Sequence, residues 1–427
     1  MRKVVYVVLD GLGDDPLPQL KDRTPLEAAR TPHLDALAAR GRNGLVYTVG
    51  KGIAPESDIA VFSVLGYDPR VYHAGRGPME GLGAGMKILD GDLVYRVNFA
   101  TVGADGRTIV DRRVGRNLTS AEAHALAEIA NATVRLPGAQ AELRATVEHR
   151  GVLLIRRDGA PLSAEVTNTD PAYERLGALG VAKATFDDIV QECAPLPGYD
   201  GEERARAAAD LTNEYLRQVF AVLDASDVNT KRRASGGMPG NIILTRDAGD
   251  HLPTPPSFKD RFGAEWGCFV EMPVERGISM VLGMGQVEVP MKGDGSFERQ
   301  YNIWAETALE RIEEYDGLYI HIKGPDIPAH DGLFDQKLEN IEAIDAAFFG
   351  VLLPELRRDA IIAVTADHST SCARKAHTDD PVPLVVAGPG VSGDAVATFG
   401  ERAAARGSIG TIQGLEIMPR LMALAKD

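Results

Sequence analysis

The sequence has little cysteine. Cys193, Cys268 and Cys372 are its only thiols, and no CxxC pair occurs. Three scattered cysteines cannot build a disulfide framework, so we expect reduced thiols in a cytoplasmic protein. Cys372 follows a run of polar residues, and we interpret it as a packing residue rather than a reactive thiol.

Long apolar runs are missing as well. A membrane-spanning helix needs about 18 consecutive apolar residues, and no stretch approaches that length. The run Val4–Leu9 stops at an aspartate and is too short for a secretory signal. We therefore expect no membrane partner and no export signal.

Positive charge is in deficit. Lysine and arginine number 46 against 61 aspartates and glutamates, which leaves a net charge of -15. This excludes general binding to nucleic acid or a membrane surface, because either partner requires a basic face. A small anionic substrate is still allowed, because a site responds to its local charges. With 427 residues, 44% of them hydrophobic, the chain is long enough for two domains.

Apolar, β-branched runs predict the strands of a sheet that is covered on both faces. They are Val4–Leu9, Gly317–Ile322, 361–364 and Val382–Ala387, and helical patterns such as 338–356 lie between them. Strands that alternate with helices indicate an α/β fold with a mostly parallel sheet.

Side chains of the types that bind metals occur directly after these strands, a few residues further along the chain, and at the start of one predicted helix. They are Asp10, Ser57, Asp326, His330, Asp367, His368 and His377. Ligand groups in α/β folds gather at the carboxyl ends of strands. Seven such groups are too many for one ion and about right for two, so we predict a dinuclear metal centre for phosphoryl transfer. The glycine and prolines around Asp326 and His330 predict that a loop, not a helix, aligns this pair.

Two of these local patterns have a second interpretation. Gly11 and Gly13 fit the start of a dinucleotide-binding loop, but Pro16 stands in place of the third glycine and Asp10 would repel a pyrophosphate. Ser57 begins a predicted helix, where a serine can simply cap the N-terminus. It can also be a nucleophile, because a helix N-terminus and a metal both favour an anionic oxygen.

The texture of the sequence changes at the glycine-rich stretch 75–85, where we predict a domain boundary. Residues 1–84 and 256–427 are expected to form the metal-binding core, and 85–255 an inserted α+β domain that binds substrate. Basic side chains cluster in the insert: Arg96, Arg112, Arg113, Arg116 and Lys231. Such a cluster is either a solvated basic face or a clamp for carboxylates and phosphates. Asp111, beside the arginines, is either a proton-transfer residue or an ion-pair partner.

Several motifs taken together resemble those of a known family. They are Leu9-Asp10-Gly11, Pro55-Glu56-Ser57-Asp58, Gly66-Tyr67-Asp68-Pro69, Gly75-Arg76-Gly77-Pro78, Arg96-Val97-Asn98-Phe99-Ala100-Thr101, Asp111-Arg112-Arg113, His321-Ile322-Lys323-Gly324, His330-Asp331-Gly332 and Asp367-His368-Ser369-Thr370. From end to end the chain resembles the archaeal-type 2,3-bisphosphoglycerate-independent phosphoglycerate mutases of the alkaline phosphatase superfamily. The motifs Gly-Tyr-Asp-Pro and Gly-Arg-Gly-Pro separate this group from its relatives better than the metal ligands, which the superfamily shares.

The resemblance implies an alkaline-phosphatase-like core that interconverts 3-phosphoglycerate and 2-phosphoglycerate in glycolysis or gluconeogenesis. Ser57 would be the phosphorylated nucleophile. One ion would take Asp10, Ser57, Asp367 and His368, and the other Asp326, His330 and His377. Manganese is the first expectation for both ions, with magnesium, cobalt and zinc as alternatives, and no 2,3-bisphosphoglycerate would be required.

The resemblance also implies which side chains hold the substrate: Arg96, Arg112, Arg113 and Arg116 for the glycerate, and Lys231 or Lys323 for the phosphate charge. Asp111 and Asp331 are the candidates for the general acid and base. The expected partner is a small phosphoglycerate, and a homo-oligomer is compatible with this function.

Three positions depart from the pattern of the family. Pro325 stands where a small polar residue is expected, and Ala329 and Asp247 where glycine is expected. The first two could stiffen or shift the segment between Asp326 and His330 and weaken one metal site. Other functions also fit these ligands, namely a phosphatase or another phosphotransferase of the superfamily, such as a homoserine-kinase-like enzyme. A non-catalytic metal-binding protein is the remaining alternative.

Overall fold

The computed structural model describes residues 1–176, 179–183, 185–289 and 296–426. These residues pack as two compact units, one of 1–72 with 254–427 and one of 73–253. The first unit has a sheet with helices around it, and the second an antiparallel sheet with its own helices. The predicted α/β class, with a sheet core and an additional α+β part, is confirmed.

The elements are given in chain order in three groups. The amino-terminal part of the first unit contains β1 (Val4–Leu9), α1 (Pro25–Ala28), α2 (Pro32–Arg40), β2 (Arg42–Tyr47), α3 (Ser57–Val64) and α4 (Pro69–Tyr72). The second unit contains α5 (Arg76–Gly83), β3 (Leu93–Val102), β4 (Ile109–Asp111), α6 (Ser120–Thr133), β5 (Ala139–Ala145), β6 (Arg150–Arg157), β7 (Tyr173–Leu176), β8 (Leu179–Ala182), α7 (Glu203–Asp224), α8 (Asp227–Ala234) and β9 (Ile242–Gly249). The carboxyl-terminal part of the first unit contains α9 (Phe258–Phe262), β10 (Trp266–Val270), α10 (Pro273–Val281), β11 (Gly285–Gln286), α11 (Phe297–Arg311), β12 (Gly317–Ile322), α12 (Asp326–Asp331), α13 (Phe334–Ala343), α14 (Gly350–Glu355), β13 (Ile361–Thr365), β14 (Ser369–Ser371), β15 (Ala376–Thr378), β16 (Val382–Ala387), α15 (Glu401–Ala404), β17 (Gly410–Gln413) and α16 (Ile417–Lys426).

The central sheet of the first unit has the strand order β11-β10-β12-β1-β13-β16-β2-β17. Its pairs are parallel except for the two that β16 makes, with β13 and with β2, which are antiparallel. The mostly parallel sheet is therefore confirmed, and the predicted strand Val382–Ala387 is present but runs against its neighbours.

The register of three parallel strands decides where the polar groups lie. Strand β1 pairs with β12 from Val4 opposite Gly317, and with β13 from Val4 opposite Ile361. Every residue of β1 is at most 1% exposed, as its β-branched composition predicts for a strand covered on both faces. Because parallel strands in register end at the same edge, the residues that follow β1, β12 and β13 meet there.

The second unit has a core of its own. Strand β3 pairs with β4, β6 and β9, all antiparallel, and β5 extends the sheet beyond β6. Tyr95 and Phe99 of β3 pack in one buried cluster with Leu126 of α6 and Tyr215 of α7. The helix predicted over 202–223 is α7.

The second unit begins at His73, and its glycine-rich stretch forms helix α5. A Cβ atom on Gly77 would lie 2.2 Å from the Val94 carbonyl oxygen, so the glycine lets α5 approach β3 closely. The domain limits 1–84, 85–255 and 256–427, and the substrate-binding role of the insert, stay predictions.

Within the part of the chain that the structure describes, no helix combines the length and the apolar character needed to cross a membrane.

Helix α6 offers a test of the local sequence signals. Thr119 accepts a hydrogen bond from the Glu122 backbone N–H while Glu122 accepts one from the Thr119 backbone N–H, which is a capping box. Thr119→Ala should destabilise the first turn by about 1 kcal/mol, measured by hydrogen exchange of the α6 amides. Thr133→Ala, at the exposed other end of α6, should cause no loss. Equal exchange rates in both variants would contradict the capping role.

Candidate metal centre

Three strand ends bring the polar residues of the first unit together. Asp10 directly follows β1, and its backbone N–H donates to the Ile322 carbonyl at the end of β12. Asp367 and His368 follow β13, and Asp326 begins α12 after β12. All of these carboxylates and imidazoles are buried, with exposures of 3% or less.

The first group consists of Asp10, Asp367 and His368, whose ligand atoms all lie within 4.8 Å of one another. His368 Nε2 lies 3.4 Å from Asp10 Oδ1 and 3.2 Å from Asp367 Oδ2. Ser57 Oγ, at the first residue of α3, lies 3.2 Å from the same nitrogen. Asp10 Oδ1 and Asp367 Oδ2 are buried and have no hydrogen-bond partner among the described residues. Buried carboxylate oxygens without donors are what a cation requires, so this group fits a metal ion.

The second group is built around Asp326. His330 Nε2 lies 3.3 Å from Asp326 Oδ1, His377 Nε2 lies 3.7 Å from the same oxygen, and the two histidine nitrogens are 3.1 Å apart. His377 Nδ1–H donates to the Pro55 carbonyl at 2.7 Å, which directs Nε2 toward Asp326. The ligand atoms of Asp326, His368 and His377 also lie within 4.8 Å of one another, so His368 contacts both groups.

The prediction that a loop aligns Asp326 and His330 is wrong. These residues form helix α12, and the two side chains are aligned by i,i+4 geometry. Pro325 precedes the first helical residue, and Pro328 is the third, where a missing backbone N–H costs no intrahelical hydrogen bond. Prolines this early start a helix rather than prevent it.

Lys323 connects the two groups. Its ammonium lies 2.7 Å from Asp10 Oδ2 and 2.8 Å from Asp326 Oδ2. Although burial alone would raise it, the charge of Lys323 and then of His330 holds the pKa of Asp326 well below its usual range. The lysine assigned to phosphate charge therefore lies between the carboxylates of the two groups.

Gly11 makes this crowding possible. Its φ is +61°, and a Cβ atom there would lie 2.6 Å from Thr370 Oγ1 and 2.8 Å from Asp326 Oδ1. A side chain at this position would strain the backbone and displace both neighbours.

A third buried group escaped the sequence analysis. Glu275 of α10 and His321 of β12 lie with Asp10 so that their ligand atoms are all within 4.8 Å. His321 Nε2 is 3.3 Å from Asp10 Oδ2, and its Nδ1 is 2.9 Å from the Tyr319 hydroxyl. Burial raises the pKa of Glu275 to about 7. The available signal was a histidine inside the apolar strand Gly317–Ile322, one residue before its end.

Apart from Lys323, the predicted substrate residues lie in the second unit, in different environments. Buried Arg96 lies in a group with Arg76, Arg246 and Glu80, and its Nε is 3.4 Å from Glu80 Oε1. Burial, followed by the charges of Arg246 and Arg76, lowers the pKa of Arg96 to about 9. Grouped, buried cations of this kind favour an anion nearby.

Arg112 does not share this arrangement. It donates two hydrogen bonds to Asp170, of 2.9 and 2.7 Å, and its guanidinium stacks on the Tyr173 ring. Burial is the main cause that lowers the pKa of Arg113, whereas Arg116 and Lys231 are exposed.

The two proposed proton-transfer residues lie in different units. Asp111 Oδ1 accepts the backbone N–H groups of Arg113 and Gly115, so this oxygen holds the turn. Asp331 is the last residue of α12 and is half-buried. Asp247 has φ +54°, a conformation that favours the glycine expected there, and its Oδ2 is 3.7 Å from Arg246 Nε.

Comparison with known proteins adds an independent finding. The family model of 2,3-bisphosphoglycerate-independent phosphoglycerate mutase matches residues 38–229. A protein of that name from Aeropyrum pernix is 42% identical over 429 residues, covering 99% of both chains. One from Thermoplasma volcanium is 35% identical and covers 100% of this chain and 97% of its own length.

Two solved structures are similar to this chain over its whole length. The cofactor-independent phosphoglycerate mutase from Thermoplasma acidophilum is 33% identical, covers 100% of both chains and has a TM-score of 0.64. The PH0037 protein from Pyrococcus horikoshii is 28% identical, covers 100% of this chain and 97% of its own, and has a TM-score of 0.79.

Lys337 is a buried lysine that the sequence analysis did not identify. Its fully buried ammonium donates to Asp14 Oδ2 at 2.9 Å, to the Gly13 carbonyl at 2.9 Å and to the Thr370 carbonyl at 2.8 Å. It thus joins the loop after Asp10 to strand β14.

Lys337→Met should lower the free energy of unfolding of the first unit by about 3–5 kcal/mol, because Asp14 would stay buried without its cation. Trp266 and Trp304, the two tryptophans of the chain, both lie in this unit, so their fluorescence during urea unfolding reports on it alone. Lys337→Met with Asp14→Asn should recover part of the loss. An undiminished loss in the double variant would show that the ion pair is not the cause.

Proposed function

Because the chain belongs to the family of 2,3-bisphosphoglycerate-independent phosphoglycerate mutases, we propose that it interconverts 3-phosphoglycerate and 2-phosphoglycerate through a phosphoserine at Ser57. The enzyme is an isomerase of the intramolecular phosphotransferase type. The observation that carries the site assignment is the position of buried Ser57 Oγ, 3.2 Å from His368 Nε2. That nitrogen lies 3.4 Å from Asp10 Oδ1 and 3.2 Å from Asp367 Oδ2, two buried oxygens without a hydrogen-bond donor in the part of the chain that the structure describes.

Two divalent ions fit the donor sets of the first unit. Asp10, Ser57, Asp367 and His368 would hold one, and Asp326, His330 and His377 the other. Carboxylates and imidazoles without a thiolate suit manganese, which is our first choice, with magnesium, cobalt and zinc as alternatives. Such ions would lower the pKa of the serine hydroxyl and offset negative charge on the transferred group.

The residues of the chain supply the rest of the reaction. In the first half, the P–O bond of 3-phosphoglycerate breaks as a P–O bond to Ser57 forms, and the serine proton ends on the glycerate oxygen. In the second half the 2-hydroxyl attacks the phosphoserine, loses its proton and restores the serine. The N-terminus of α3 and the Lys323 ammonium both favour the phosphoryl charge.

Binding of the glycerate carboxylate is assigned to arginines of the second unit. Arg96, with Arg76 and Arg246 in the same buried group, is the strongest choice, because burial raises the energetic value of a paired anion. Arg112 donates two hydrogen bonds to Asp170, so we expect it to position neighbouring side chains rather than bind the carboxylate. We retain two further assignments as proposals. Substrate binding is assigned to Arg113, Arg116 and Lys231, and proton transfer to Asp111 and Asp331.

The proposal places the enzyme in glycolysis or gluconeogenesis in the cytoplasm. Productive transfer requires that water be excluded while the phosphoserine exists, since water would otherwise hydrolyse it and release phosphate. This competition distinguishes a mutase from the phosphatases and phosphotransferases that the same ligands could serve.

Ser57→Ala should reduce mutase activity by at least about 10³-fold, because no other group would accept the phosphoryl. The assay couples 2-phosphoglycerate to enolase, and a second measurement follows ³²P from labelled substrate into the protein. Ser63→Ala on the same helix is the control, because Ser63 Oγ donates to the Thr48 carbonyl and should be dispensable for chemistry. Undiminished labelling in Ser57→Ala would place the nucleophile elsewhere.

Removing metal with a chelator should abolish mutase activity, and adding Mn²⁺ should restore it, because the buried carboxylates add to the negative charge of the phosphoryl group and cations are needed to offset both. Free phosphate, measured in the same reactions, should be a minor product. Stoichiometric phosphate with no 2-phosphoglycerate would instead identify a phosphatase.

A further inference from the structure

Thr370 lies between the two groups of metal ligands. It is fully buried in β14, opposite His377 of β15. Its Oγ1 lies 2.7 Å from Asp326 Oδ1 and 3.0 Å from His368 Nδ1. One hydroxyl therefore contacts a ligand proposed for each ion, although it belongs to neither set.

The donor and acceptor inventory fixes the direction of both hydrogen bonds. A carboxylate that binds a metal is ionised and can only accept, so the single hydroxyl proton of Thr370 points to Asp326. The hydroxyl oxygen must then accept from His368, whose Nδ1 carries the proton. The other nitrogen, Nε2, is left with its lone pair on the side of Asp10, Asp367 and Ser57.

The backbone of Thr370 is held as firmly as its side chain. Its N–H donates to the Gly13 carbonyl at 3.0 Å, and its carbonyl accepts from Lys337 Nζ at 2.8 Å. Gly11, which has no side chain, leaves room for Oγ1. Both the backbone and the side chain of Thr370 are therefore held in place by hydrogen bonds.

We infer that Thr370 is a positioning residue that couples the two metal sites, by fixing the Nδ1–H tautomer of His368 and the orientation of Asp326 through one hydroxyl. Groups behind the metal ligands commonly set ligand orientation and basicity, at a cost of about 10–100-fold in affinity when removed. Here one group does so for both sites, so its loss should weaken both ions together. This inference rests on the two-metal centre of the proposed function.

Two substitutions separate the hydroxyl from the shape of the side chain. Thr370→Val keeps the volume and removes the hydroxyl, and Thr370→Ser keeps the hydroxyl and removes the methyl. Thr212→Val is the matched control: Thr212 is also fully buried, its hydroxyl contacts Tyr95 Oη at 2.9 Å, and it belongs to the second unit, which contains none of the proposed metal ligands. It should lose stability without changing metal affinity.

Binding of Mn²⁺ to the full-length chain, without substrate, is measured by electron paramagnetic resonance of the free ion. Thr370→Val should bind both ions about 10–100-fold more weakly than the unsubstituted chain, while Thr370→Ser stays close to it. In the zinc-loaded chain, ¹⁵N spectra of the histidine side chains should show a protonated Nδ1 on His368, identified with His368→Gln, and Thr370→Val should alter that signal.

The outcomes are distinguishable. If the unsubstituted chain binds fewer than two ions, the proposed metal centre falls and the inference falls with it. If it binds two and Thr370→Val binds both equally well, or loses only one, the coupling role alone is overturned. A Thr370→Ser variant as weak as Thr370→Val would show that the methyl group matters instead of the hydroxyl.

Discussion

The buried crowding of Asp10, Asp326 and Asp367 is the constraint on which the first unit depends. Three carboxylates with exposures of 3% or less repel one another in a region of low dielectric, so the fold is stable only if cations offset them. Lys323 contributes one positive charge between Asp10 and Asp326, and bound divalent ions would contribute the remainder. Without bound ions, this excess of negative charge destabilises the first unit. The same excess favours the binding of metal ions, which in turn bind the phosphate.

The sheet makes that crowding unavoidable. Because β12, β1 and β13 are parallel and in register, the residues after them leave the sheet at one edge, and no loop rearrangement can separate Asp10 from Asp367 without breaking strand pairing. Lys337 adds a second restraint by joining the loop after β1 to β14. The positions of Asp10 and Asp367 are therefore set by backbone pairing, and the buried ion pair of Lys337 holds the loop after β1 against β14.

Sequence reasoning succeeded where a residue's position followed from its element. Asp10 and Asp367 follow apolar strands, so strand recognition alone placed them. It failed at α12, because glycine and proline were interpreted without regard to where in a helix a proline is tolerated. Glu275 could not be placed at all, since its approach to Asp10 depends on how α10 packs on the sheet. Likewise, nothing in the order of the arginines reveals that Arg112 is bound to Asp170, a contact across 58 positions.

The unusual residues of α12 have a physical reason that the family pattern alone did not suggest. Pro325 has φ -67° and ψ -28°, close to helical values, so its fixed ring prepares the chain for the turn that follows. Ala329 is fully buried in a small apolar cluster with Leu17 and Cys372, where a glycine would cost backbone entropy and lose packing. Both residues favour the helical turn that sets His330 over Asp326. We therefore expect them to preorganise the second ligand group rather than weaken it, since a ligand pair already aligned loses less entropy on binding an ion.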